Sequence, residues 1–506
     1  MASSTDYHHS SLSFCQFHSL IFGVTITSLG LANVAIAQPI TTANDGTATN
    51  IISNGNTYLI TGGSQSGRNL FHSFEQFGLG SSDIANFVGT PDLNNILGRV
   101  TGGNVSIIEG LLKVSNSNAN LYLLNPMGLV FGADAQLDIQ GSFTATTATS
   151  IGFENGQFNA TGLNDYSSLV GHPNVFNFGA IAATTADGIP GGSIINLGEL
   201  FVNLGQNLSF IGRSLLNAGT LSAPAGQIAM VSVPGETAQT VRYTQPGMIL
   251  GLELLTLDEQ PNPIDLPNIA LIDLPQYLTG SSTAQSTKTT NPFDPSTASH
   301  SLESGHTIIS GQINTASPSS NGGDILITGN RIKLIEASID ASGKYGGGNI
   351  RIGGDYQGQG ILPTATNTFV NNGTAIAANA WESGNGGEII VWADQSTYFH
   401  GTATAKGGLD NGNGGLVETS GKIFLDVAGS TVQTTAPQGE TGLWLLDPSN
   451  ITIQTGGSDN NISGSPNFIP GAGVASVLTE AILEAAEEVL GDRLTRLICR
   501  KTSPQH

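Results

Sequence analysis

Beyond residue 40 the apolar positions come in short alternating runs. Tyr58-Leu59-Ile60, Val105-Ser106-Ile107-Ile108 and Leu121-Tyr122-Leu123-Leu124 are examples, with Gly, Asn and Asp between the runs. Period-two runs of aliphatic, β-branched and aromatic residues between turn formers predict strands. Between residues 40 and 470 no stretch sustains the 3.6-residue apolar period of a capped helix. The pattern therefore predicts an all-β chain.

The strands recur behind a Gly-Gly pair. Gly191-Gly192-Ser193-Ile194-Ile195 is followed by similar text at Gly322, Gly347, Gly386 and Gly414, and from Gly322 the spacings are 25, 39 and 28 residues. Self-similarity at roughly 20–50 residues is the mark of a solenoid. A single coil cannot bury its own apolar face, so coils stack and share a core. Ile, Leu, Val and Ala are expected to point inward, and Ser, Thr, Asn and Gln outward. Gly is expected to supply positive φ at the corners. A set of small β-sandwiches shares the strand signal, but it would bring regular hairpins and more aromatics than the 6% present. A parallel β-helix (β-solenoid) is the preferred reading.

Composition narrows the function. Charged residues are 11% of the chain, against roughly 25% in an average globular protein. A mean hydropathy of +0.04 argues against a wholly disordered chain, which needs low hydrophobicity and high net charge together. Sixteen basic residues and a net charge of −22 exclude a nucleic-acid partner that must be held through its phosphates. Cys15 and Cys499 are the two cysteines, too few for a disulfide framework or a four-ligand zinc site.

The organisation divides into five parts. Residues 1–37 read as a signal peptide. An apolar core begins at Leu20-Ile21-Phe22, and Ala35-Ile36-Ala37 forms the small-residue cleavage pattern. The region before the apolar core has no Lys or Arg, which departs from that pattern, and a single membrane anchor is the alternative. Residues 38–257 form a first β-helix domain. Residues 258–305, with Pro261, Pro263, Pro267, Pro275, Pro292 and Pro295, read as a Pro/Ser/Thr-rich linker or excursion, since proline removes ladder donors. Residues 306–455 carry the solenoid repeats. Residues 456–506 are atypical: Ala475 to Ala486 has good helix formers with Thr479 as a candidate cap, and the basic residues cluster from Arg493. A short C-terminal helix is expected there. It is either a capping helix or the tail of a truncated larger chain.

Residues 70–148 carry a resemblance. They include His72-Ser73-Phe74-Glu75-Gln76-Phe77, then Arg99-Val100-Thr101-Gly102-Gly103-Asn104, then Leu123-Leu124-Asn125-Pro126-Met127-Gly128. This text resembles the N-terminal secretion (haemagglutination-activity) domain of the filamentous haemagglutinin family, in the idiom of its cyanobacterial members. The resemblance is strong from Gln38 to Ala148 and looser to about Thr455. It implies a right-handed parallel β-helix. It also implies a secreted exoprotein of a two-partner system, exported via the periplasm through a dedicated outer-membrane β-barrel transporter with periplasmic modules. The implied destination is the outside of the cell or the outer-membrane surface. The implied role is a surface adhesin or structural exoprotein, with a cell-surface or carbohydrate receptor.

Carried over by position, the secretion motif comprises Asn125, Pro126 and Gly128, with Arg99, Thr101, Gly102 and Asn104. Met127 stands where the family commonly has Asn. Arg99 is read either as a structural arginine on a coil or as a contributor to transporter recognition. His72 is read as a packed or surface histidine. The alternative functions are a β-helical polysaccharide-active enzyme and an inactive fragment of a larger adhesin. Asp324, Asp340, Asp355, Glu388 and Asp394 are the acids an enzyme would draw on, but they read as solvated loop acids. No catalytic, cofactor or metal motif is found: Gly62-Gly63-Ser64-Gln65-Ser66-Gly67 lacks the nucleophile-elbow spacing. The expectation is a non-enzyme without cofactor.

Overall fold

The computed structural model describes residues 39–179, 191–235, 239–243 and 303–447, with the backbone of four further strands, Leu252–Thr256, Ile451–Gln454, Ser476–Thr479 and Arg496–Cys499. The leader and the proline-rich segment of the sequence reading, apart from residues 303–305, lie outside them. The described chain is nearly all strand, and most strands pair in parallel with the strand one coil away. This is a parallel β-helix with three faces.

One long sheet runs from Asn69–Gln76 to Leu443–Leu446, and a second face from Ser106–Ile108 to Phe424–Asp426. The third face is built in two stretches, one reaching Gln136–Asp138 and one beginning at Glu199–Phe201. Within the long sheet a single inward row is kept in register: Leu70, Ile96, Leu121, Phe143, Leu208 and Ile228. The row continues through Ile325, Ile350, Ile389, Val417 and Trp444. All of these residues belong to one continuous buried core. Burying such rows is what holds each coil to the next.

The Gly-Gly repeats have a different cause from the one expected. Gly226, Gly323, Gly348, Gly387, Gly415 and Gly442 each precede a long-sheet strand, and none has positive φ. A Cβ on Gly323 would lie 1.9 Å from the Gly226 carbonyl oxygen, and one on Gly348 would lie 1.9 Å from that of Gly323. Corners stack so closely that a side chain has no room. Gly192 does not belong to this column, because Ser193–Asn196 lies on the second face.

Asparagine ladders tie coils together. Asn95 donates to Asn69 at 2.8 Å and Asn120 donates to Asn95 at 3.0 Å. At the N-terminal end, Thr41–Thr42 pairs antiparallel with Asn69–Gln76, and Thr49–Asn54 with Thr57–Gly62. These strands cover sheet edges that would otherwise invite pairing.

An antiparallel sheet of Ser150–Gly152, Gln157–Asn159, Val175–Phe178, Gln239–Tyr243 and Leu252–Thr256 stands outside the column. It buries Phe153, Phe158, Phe176 and Phe178 against the outward row Phe71, Leu97, Ala229 and Leu326 of the long sheet. Several outward positions on this stretch are therefore apolar where polar ones were expected, because the flap covers them, while Thr144 and Ser209 of the same row keep the expected polar side chains. The column itself is unbroken across the proline-rich segment: Leu215 pairs with Thr307 and Ile228 with Ile325.

The tail corrects a second expectation. Ser476–Thr479 and Arg496–Cys499 are strands, paired with Ile451–Gln454 and Leu443–Leu446. Thr479 is the last residue of a strand, and the helix expected beyond it falls outside the described residues. Residues 480–495 lie outside the described set. No helix among the described residues is long and apolar enough to cross a membrane.

Candidate functional site

The Asn125–Gly128 turn joins the long sheet to the second face. Asn125 is fully buried. Its Nδ2 donates to the Asn104 carbonyl at 2.9 Å and to Ser106 Oγ at 3.0 Å, both on the preceding coil. Its Oδ1 accepts from the Met127 N–H at 3.0 Å, and its carbonyl accepts from the Gly128 N–H at 3.1 Å. The side chain thus closes its own turn and pins the coil below. Pro126 is half-buried at the position where its fixed φ suits a turn. Gly128 has φ +132°, and a Cβ there would lie 3.1 Å from the Ser193 carbonyl of the following coil. The Gly192 N–H donates to the Met127 carbonyl at 3.4 Å. Met127 is half-buried and contributes through its backbone.

Arg99 is 1% exposed. Nε donates to Ser73 Oγ at 2.9 Å, Nη1 to the Asn159 carbonyl at 2.6 Å, and Nη2 to Asp45 Oδ2 at 2.6 Å. The guanidinium lies over the Phe158 ring, 5.6 Å from its centroid. One side chain therefore joins the column, the N-terminal cap and the flap. Burial alone would raise the Asp45 carboxyl, but hydrogen bonds from Ser73, Thr47 and Arg99 outweigh it and hold the group below its ordinary value. Asp45, Ser73 and Asn159 were not singled out by the sequence. They lie 54, 26 and 60 residues from Arg99, and no local spacing connects them.

The rest of the Arg-Val-Thr-Gly-Gly-Asn string shapes the same corner. Thr101 Oγ1 donates to the Phe74 carbonyl at 3.1 Å. Gly102 is forced, since its Cβ would lie 2.0 Å from the Glu75 carbonyl oxygen. Asn104 contributes the carbonyl that Asn125 holds. The string and the turn are one assembly on successive coils, reaching from Asp45 to Ser193.

His72 is fully buried between Phe74 and Phe87, and neither ring nitrogen has a hydrogen-bond partner. Burial pushes it down to about 4. It is core, as the packed reading held.

The candidate acids are engaged structurally. Asp324 accepts from Gln227 and Asn349 at 3.2 and 2.8 Å, Asp340 from the Ser342 N–H at 2.8 Å, and Asp394 from Thr364 at 2.6 Å. Asp355 and Glu388 both bind Arg351, at 3.0 and 2.8 Å. Among the described residues no group of three or more His, Cys, Asp or Glu is placed to hold a metal ion.

Comparison with known proteins adds the following. Residues 37–254 match the family described as the TPS secretion domain. The chain is 31% identical over 153 residues to the heme/hemopexin-binding protein of Haemophilus influenzae, a match covering 28% of this chain and 16% of that protein. The chain thus spans about a sixth of the length of that relative. Among solved structures, the HMW1 secretion domain of Haemophilus influenzae is similar at 20% identity and a TM-score of 0.42, covering 81% of this chain and 100% of that one.

Proposed function

Since residues 37–254 are a two-partner secretion (TPS) domain, we propose that the chain is an exoprotein exported through a paired outer-membrane transporter and acting at the cell surface as an adhesin or structural exoprotein. The family match is the observation that carries this reading. The column from 306 to 447 is read as the continuation of the exported solenoid. The matched family is a secretion domain and not an enzyme family, and the engagement of the candidate acids in structural contacts supports a non-enzymatic role.

The motif residues support a particular division of labour. Arg99 and Asn125 are buried in the folded domain, where a transporter cannot touch their side chains. Any recognition of them belongs to the chain before it folds. In the folded domain they lock cap, column and turn together.

The test is co-expression with and without a two-partner outer-membrane transporter. The expected result is that the chain reaches the medium only with the transporter, and equal amounts without it would overturn the proposal. Asn125→Ala separates the two roles. Reduced export with an unchanged fold of the secreted fraction assigns the turn to the signal, and unchanged export removes it.

A further inference from the structure

The outer face of the column is covered by a second segment, whose apolar contact continues the cluster under the flap. Residues 353–365 leave the long sheet after Asn349–Ile352 and fold back over it, with Leu362 packed into the same outer cluster as Leu326. Gly353, Gly354, Gly358 and Gly360 all have positive φ, and so does Gln357, at +57°. A non-glycine residue in that region stores strain and needs something to hold it.

Two contacts hold its middle, around Gln357 and Gly358. Trp392, 3% exposed, packs so close that a Cβ on Gly358 would lie 2.3 Å from its ring. The Gln357 N–H donates to both carboxyl oxygens of Glu418, at 3.2 and 3.0 Å. Glu418 is fully buried on the outward row, in register with Ile390, which is in turn in register with Arg351. The loop therefore reaches across two coils to a buried carboxyl.

We propose that residues 353–365 form a proton-controlled clasp, latched onto the column by the Glu418 carboxyl and loosened when that carboxyl releases its proton to solvent. The charged surroundings favour the neutral acid. Glu388 faces it from the neighbouring strand and Asp447 from the segment after Leu443–Leu446. Arg351, two coils away in the same register, binds Glu388 and Asp355 of the loop. Burial, with Asp447 and Glu388, pushes Glu418 up to about 7 against the pull of the Gln357 N–H and Ser420. In the opened loop the carboxyl is solvated and returns towards its ordinary value. The closed state therefore binds more protons between pH 4.5 and about 7, so opening is favoured as pH rises through that window and levels off above it.

Amide hydrogen exchange of the full chain, corrected for the chemical exchange rate, reads the clasp directly. Protection across 353–365 should fall about tenfold or more from pH 5 to pH 7.5, since one linked proton gives up to tenfold per pH unit. Protection of Leu208–Gly212 should stay constant. Glu418→Gln should abolish the fall, and Glu388→Gln, which keeps the latch and removes a neighbouring negative charge, should reduce it. A flat wild-type profile overturns the proposal, as does a fall retained in Glu418→Gln. If that variant does not fold, an undiminished fall in Glu388→Gln does the same.

Discussion

Asp45 and Arg99 meet at 2.6 Å, the one on the N-terminal cap and the other on the second strand of the long sheet. Their side chains are 15% and 1% exposed. Removing one partner leaves the other charge buried and alone, at about 3–5 kcal/mol. Arg99→Met and Asp45→Asn should each lower the urea midpoint strongly. The double variant should be less destabilised than the sum of the two. Additive losses would mean that the ion pair carries none of the cost.

The Asn125 amide satisfies three partners at once. Asn125→Ala removes these bonds and strands buried polar groups, and it should cost about 3 kcal/mol. Met127→Asn should change stability by less than about 0.5 kcal/mol, because Met127 acts through its backbone. Equilibrium denaturation of the refolded 37–254 segment measures both, provided that segment refolds.

Stacked glycines and free glycines should respond differently. A Cβ on Gly348 would lie 1.9 Å from the Gly323 carbonyl, whereas Gly103 has φ +77° with nothing within 4 Å. Gly103→Ala carries only the cost of the left-handed conformation, about 1–2 kcal/mol. Gly348→Ala must push two coils apart and should lower the thermal midpoint further than Gly103→Ala. Equal effects would remove close stacking as the reason for the Gly-Gly repeat.

His72 makes the first coils acid-sensitive. Its folded value of about 4 lies below the ordinary 6.5, so the unfolded chain binds more protons between those values. Stability is full above pH 6.5 and falls as pH drops towards 4, by about 3 kcal/mol in all at about 1.4 kcal/mol per unit. His72→Leu should flatten that part of the profile relative to wild type. An unchanged slope between pH 6.5 and 4.5 would show that His72 is already solvated.

The column was legible because its signal is local. Alternation marked the strands, Gly-Gly marked the corners, and the Asn125–Gly128 turn stands where the motif placed it. The flap was not legible. Phe71 and Leu97 alternate like any outward positions, and nothing near them in sequence announces that Phe153 and Phe158 return to cover them. The lock around Arg99 was missed for the same reason, since its partners come from three separate stretches of chain. In the tail, Ser476–Thr479 and Arg496–Cys499 pair as strands at the two ends of a stretch whose composition favours helix, because each meets a strand edge with free ladder groups.

Gln227–Ser232 hands its hydrogen bonds directly to Asp324–Thr328, and none of the 91 positions between them adds a strand to the long sheet, although His306–Ile309 and Gln312–Asn314 complete the other two faces of that coil. Material inserted between coils is therefore invisible to the axis, and only a further rung advances the tip. Each rung is worth about 4.8 Å. The eleven strands from Asn69–Gln76 to Leu443–Leu446 make a ruler about 48 Å long at that spacing. Its reach is set by counting rungs, while its sideways decoration can vary freely.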